Sequence, residues 1–102
     1  MKLYIDTSSN KKTIVKLGDK ILERDSSVWY SQVVLLMIDE LLKLQGRTLQ
    51  DITEIEVVKT GDSFTGLRVG AAIGNALGYA LNVPVNCKKI HNLDLVLPDY
   101  DL

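Results

Sequence analysis

The chain has 102 residues, 12 basic and 13 acidic, for a net charge of −1. That length supports one hydrophobic core rather than two. The near-neutral charge argues against nonspecific nucleic-acid binding, because phosphate recognition usually takes a basic surface.

A hydrophobic fraction of 46% and a charged fraction of 25% are ordinary for a globular domain. The single cysteine, Cys87, has no internal disulfide partner, and a lone thiol fits a reducing cytoplasm. The segment Met1-Lys2-Leu3-Tyr4-Ile5-Asp6 is too short in apolar residues for a signal peptide. No apolar run approaches the roughly 20 residues of a membrane span.

In chain order, Leu3-Tyr4-Ile5 reads as a buried strand, followed by a polar turn cluster from Asp6 to Asn10. Lys12 to Leu17 alternates, with Thr13, Val15 and Leu17 on one face and Ile14 on the other. Gly18-Asp19 is a tight-turn pair, and Lys20 to Arg24 continues as the return strand. Ser26 or Ser27 can cap a helix that runs from about Trp29 to Leu44, and Gly46 ends it as a left-handed C-cap. Thr48 to Ile52 is a short helical turn, and Glu54 to Val58 a strand.

Ser63 and Thr65 are both good N-caps for a second helix from Phe64 to Leu81. Gly66, Gly70, Gly74 and Gly78 recur at every fourth position of it. Each glycine costs a helix about 1 kcal/mol against alanine. Such a stripe implies close approach of the helix backbone to its own sheet or to another helix. Pro84 to Cys87 is then a last strand, and with it the order is β-β-β-α-β-α-β.

The first helix carries more apolar residues than one buried face needs, with Val33 to Ile38 six in a row. Val34, Met37, Ile38 and Leu41 form one stripe, flanked by Leu35 and Leu42 on one side and Val33 and Leu44 on the other. Two readings stand: packing on the neighbouring glycine helix, or a face for a partner.

Three stretches resemble a known family: Met1 to Ser8; Ser31-Gln32 with Leu36 to Leu42; and Ser63-Phe64-Thr65-Gly66-Leu67-Arg68-Val69-Gly70. They look like the TsaB (YeaZ) family, which serves threonylcarbamoyladenosine synthesis in tRNA. The third stretch, in its strand-to-helix setting, is the most specific. The likeness runs from Met1 to about Val85 and covers the family's first lobe. Thr60-Gly61-Asp62 stands where the family usually has Gly-Pro-Gly, and Tyr30 where it often has His.

The resemblance implies an α/β fold, a single lobe of the actin, hexokinase and Hsp70 (ASKHA) superfamily. The expected sheet is five-stranded and mixed, in the order 3-2-1-4-5, with two main helices on one face. Residues 1–90 would form the lobe and 91–102 an acidic tail, whose Leu93, Leu95 and Leu97 have strand spacing to cover part of the other face or a neighbouring chain. The implied function is a non-catalytic, cytoplasmic subunit that docks on the catalytic subunit TsaD through its two helices, and forms a homodimer in TsaD's absence. The expected partner interface is Val34, Met37, Ile38, Leu41, Leu67, Arg68, Gly70, Ala71, Gly74 and Gly78. No cofactor, metal, membrane or direct nucleic-acid contact is expected.

The alternative readings are a nucleotide-binding remnant of an ASKHA phosphotransferase and a homodimeric interaction module. Asp6 is the one weak cofactor-binding candidate. Superfamily kinases follow such an acid with a glycine-rich phosphate turn, whereas Thr7-Ser8-Ser9-Asn10 follows here, so Asp6 reads first as a turn cap. Ser63 and Thr65 have no activating His or Lys nearby in sequence. His91 is the only histidine, against a multi-His metal site. Cys87 reads as a small buried hydrophobe in a strand. Arg68 reads equally as a surface charge or as the partner of an acid on another subunit.

Overall fold

The computed structural model describes residues 1–25 and 30–87. The expected start of the first helix at Trp29, its capping serines and the acidic tail lie outside these residues. Strands β1 (Lys2–Asp6), β2 (Lys12–Leu17) and β3 (Lys20–Asp25) are followed by α1 (Tyr30–Leu44). A short 3-10 turn (Leu49–Asp51), β4 (Glu54–Val57) and α2 (Phe64–Leu81) complete the described elements.

The sheet order is β3-β2-β1-β4. β2 runs antiparallel to β1 and β3, and β4 runs parallel to β1. The β2–β3 turn depends on Gly18, which sits at φ 60, a value that glycine adopts without steric cost.

Strand alternation decides which face is buried. Leu3 pairs with Leu17 and Ile55, and Ile5 with Val15 and Val57. All six side chains are buried, while the intervening Tyr4 and Glu56 are only partly covered and Lys16 is exposed. α1 packs over β2 and β3, α2 over β4 and β1, and the two helices touch. Val34, Met37, Ile38, Leu41 and Leu42 of α1 join the six strand residues in one core. The two helices therefore share one face of the sheet.

The expected fifth strand is not formed. Val85 makes a single parallel bridge to Ile55, and the chain then leaves the sheet because Asn86 and Cys87 take φ values of 50 and 65. Two successive left-handed residues cannot continue a strand. Cys87 is accordingly exposed, not the buried strand residue that the sequence implies.

Candidate functional site: the helix pair and the loops at the β1 end

Two loops meet where β1 ends. Asp6 Oδ1 accepts from the Ser8 N–H at 3.0 Å and from Ser8 Oγ at 2.5 Å. This is the local turn that an Asp with a short polar neighbour makes. The Ser8 carbonyl in turn accepts from the Asp62 and Ser63 N–H groups at 2.9 and 3.1 Å. Asn10 N–H donates to Asp62 Oδ1 at 3.1 Å. A Cβ on Gly61 would fall onto Ser8, so only glycine lets the loops come this close.

The same junction seats α2. Ser63 is the N-cap, its Oγ accepting from Gly66 N–H at 3.0 Å. Thr65 lies inside the helix instead. Thr7, fully buried, donates from Oγ1 to the Gly66 carbonyl at 2.5 Å. Ser63 Oγ thus serves a backbone donor, and Asp6 Oδ1 serves a turn.

Most of the expected interface residues face inward. Val34 and Leu41 are fully buried, and Met37, Ile38, Leu67, Ala71, Gly70, Gly74 and Gly78 are also buried. A Cβ at Gly70 would meet Thr7 and Val57, and one at Gly74 would meet Val57, Ile55 and Val85. At these two positions the close approach of α2 is to the chain's own sheet. Arg68 alone of the ten is exposed, and it takes part in an interaction.

Beyond the buried stripe that its periodicity predicts, α1 carries an exposed apolar layer. Leu35, Leu36 and Leu44 are 51, 62 and 70% exposed. A shallow groove of about 140 Å³ between the helices is lined by Leu35, Ile38, Asp39, Leu42, Leu49 and Leu77. The signal was the surplus of apolar residues on α1, more than one buried stripe requires. The surrounding charges are paired: Lys43 with Asp39 at 2.9 Å and Arg24 with Glu40 at 2.8 Å. The Lys43 ammonium is held above its usual range by the hydrogen bond to Asp39. Among the described residues, no group of three His, Cys, Asp or Glu could hold a metal ion. No described helix is long and apolar enough to cross a membrane.

Residues 7–97 match the family model of TsaD, tRNA N6-adenosine threonylcarbamoyltransferase. The chain is also 31% identical over 86 residues to the tRNA threonylcarbamoyladenosine biosynthesis protein TsaB of Haemophilus influenzae. The chain belongs to this family, in its TsaB (YeaZ) branch.

YeaZ from Pseudomonas aeruginosa superposes with a TM-score of 0.67 at 26% identity, over 82% of this chain. A second solved structure, an uncharacterized protein with similarity to the peptidase YeaZ from Pseudomonas aeruginosa, gives 0.68 at 25% identity over the same share. The matched regions are 81% of this chain and 36% of the Haemophilus TsaB, and 40% of either solved chain. The chain thus spans well under half the length of the TsaB and YeaZ proteins that it matches.

Proposed function

We propose that the chain is a non-catalytic subunit of the TsaB type. It docks on a TsaD-like catalytic subunit and supports threonylcarbamoyladenosine modification of tRNA. In this reading its fold is the first lobe of an ASKHA protein, and its site of action is the cytoplasm. The contact surface is the α1–α2 pair. Val34, Met37, Ile38, Leu41, Leu67, Gly70, Ala71, Gly74 and Gly78 hold the helices in place from within, and the outward leucines of α1, with Arg68 on α2, meet the partner.

The observation that carries the reading is the apolar groove between the two helices, with half-exposed Leu35 on its wall and exposed Leu36 next to it in the chain. Clustered exposed apolar side chains mark interaction surfaces, whereas scattered ones do not. Without the catalytic subunit, the same patch serves a second copy about a two-fold axis, since an isologous contact needs only one surface.

The nucleotide-binding alternative draws less support, because Asp6 Oδ1 is engaged by Ser8 and no glycine-rich turn follows it. Light scattering of the chain with and without a TsaD-like subunit, beside calorimetry with ATP and magnesium, separates the readings. A mixed complex and no heat of nucleotide binding is the expected result. A dissociation constant near 1 μM for nucleotide, about −8 kcal/mol, with no mixed complex would overturn the docking role.

A further inference from the structure

Among the described residues, the outer strands of the sheet are β3 on one side and β4 on the other. A bare strand edge presents unpaired N–H and C=O groups and is a template for another chain. Ile55 and Val57 direct these groups toward the outer side of β4. Those of Ile55 are met by backbone: its N–H donates to the Pro84 carbonyl at 2.9 Å, and its carbonyl accepts from Asn86 N–H at 2.8 Å.

A regular parallel ladder would join Val57 next to the carbonyl of residue 86 and to the N–H two residues further on. The Asn86 side chain takes both places. Its Oδ1 accepts from Val57 N–H at 2.7 Å, and its Nδ2 donates to the Val57 carbonyl at 3.1 Å. A primary amide offers the same acceptor and donor as a peptide group, so one side chain completes the rung. The backbone meanwhile turns off the sheet at Asn86 and Cys87, both at positive φ. Asparagine tolerates that region better than most residues. Beside this rung runs a groove of about 770 Å³ whose lining includes Val58, Lys59, Thr60, Pro84 and Cys87.

We propose that the Asn86 amide is an edge guard. It occupies the hydrogen-bonding position at Val57 that an added strand must use, and so keeps β4 from joining the β3 edge of another copy. β3 is the strand at the opposite side of the same sheet, and five of its six residues are exposed. A β4-to-β3 contact is heterologous and does not close on itself, so its product is an open series of oligomers. That outcome is distinct from a dimer through the helix pair, and the proposal stands independently of the docking role.

The test is Asn86→Gly. Glycine adopts the positive φ without strain, so the variant keeps its fold while losing the amide. Amide exchange at Val57 and light scattering over a concentration series are read against the unsubstituted chain. Exchange at Val57 should rise at least about tenfold, and the mean mass of the variant should climb with concentration while that of the unsubstituted chain does not. A Val57 amide that exchanges fast with no growth in mass would overturn the proposal. So would a Val57 amide as well protected as before. Should circular dichroism show Asn86→Gly unfolded, Asn86→Asp is read instead. It keeps the acceptor for Val57 N–H but has no donor for the Val57 carbonyl, so it still occupies the edge, and a mass that climbs as steeply as expected for the glycine variant would overturn the proposal.

Discussion

Gly66 and Gly74 lie on the same side of α2, yet a methyl group at each meets a different neighbour. At Gly66 it would fall onto the carbonyl oxygen of Thr7; at Gly74, onto a Val57 methyl. Alanine in a helix gains about 1 kcal/mol over glycine, and overpacking costs typically 1–3 kcal/mol. The Val57 methyl, 2.4 Å from that Cβ, must shift as well, but it is a side-chain atom and not backbone. The Thr7 backbone yields less readily, since it lies between β1 and the α2 cap, and moving it would also stretch the Thr7–Gly66 hydrogen bond. Urea denaturation should therefore show Gly66→Ala losing about 2 kcal/mol or more, and Gly74→Ala clearly less. Equal losses would mean that Thr7 is not the rigid point of this junction. A loss of stability at Gly74 with the oligomeric state unchanged would confirm that this glycine serves internal packing.

At the scale of elements, the end of α1 isolates a backbone effect. Gly46 sits at φ 61, and a Cβ there would meet nothing within 4 Å. Arg47 N–H donates to the Leu42 carbonyl at 2.9 Å and Gly46 N–H to the Lys43 carbonyl at 3.2 Å, the pair of bonds that closes a helix with a left-handed residue. Gly46→Ala should cost about 1–2 kcal/mol from conformation alone, and Gly46→Asn less; a thermal melt that ranks them the other way would reject this account. Gly46 was legible in the sequence, as were the Gly18-Asp19 hairpin and the buried face of β2, because each rests on a local rule about φ or alternation, whereas the cap of α2 was open between Ser63 and Thr65 until the structure placed it at Ser63. The fifth strand was not. Val83-Pro84-Val85 has strand composition, but the strand ends where a side-chain amide replaces a backbone rung, and no periodicity encodes that. The apolar stripe of α1 was likewise legible. Its members Val34, Met37, Ile38 and Leu41 are all buried, joined by the flanking Leu42.

At the scale of the whole molecule, the sheet face away from the helices and the helix pair make different predictions. On the sheet face Lys16 lies 4.9 Å from the centre of the Tyr4 ring. Burial pushes the Tyr4 phenol up from its usual 10.0, with Asp6 and Glu56 adding to the effect. Lys2 is also raised, chiefly by its hydrogen bond to Glu56. A group whose folded pKa lies above its unfolded one contributes stability that is intact at lower pH and lost as pH climbs through the folded value. The melting temperature should therefore hold between about pH 7 and 9 and fall above about pH 10. Tyr4→Phe, which keeps the ring but removes the phenol, should soften that fall; a profile unchanged by it would assign the loss to the lysines. On the helix pair, the contrast lies between layers. Leu41 is fully buried and Leu36 is 62% exposed on the same helix. Leu41→Ala should cost about 2–5 kcal/mol, as a buried leucine does, whereas Leu36→Glu should stay within about 0.5 kcal/mol, as exposed substitutions do. If the outward leucines of α1 meet a catalytic partner, Leu36→Glu should nevertheless weaken that complex at least tenfold, about 1.4 kcal/mol. A Leu36→Glu chain that binds the TsaD-like subunit as tightly as the unsubstituted one would move the contact off α1.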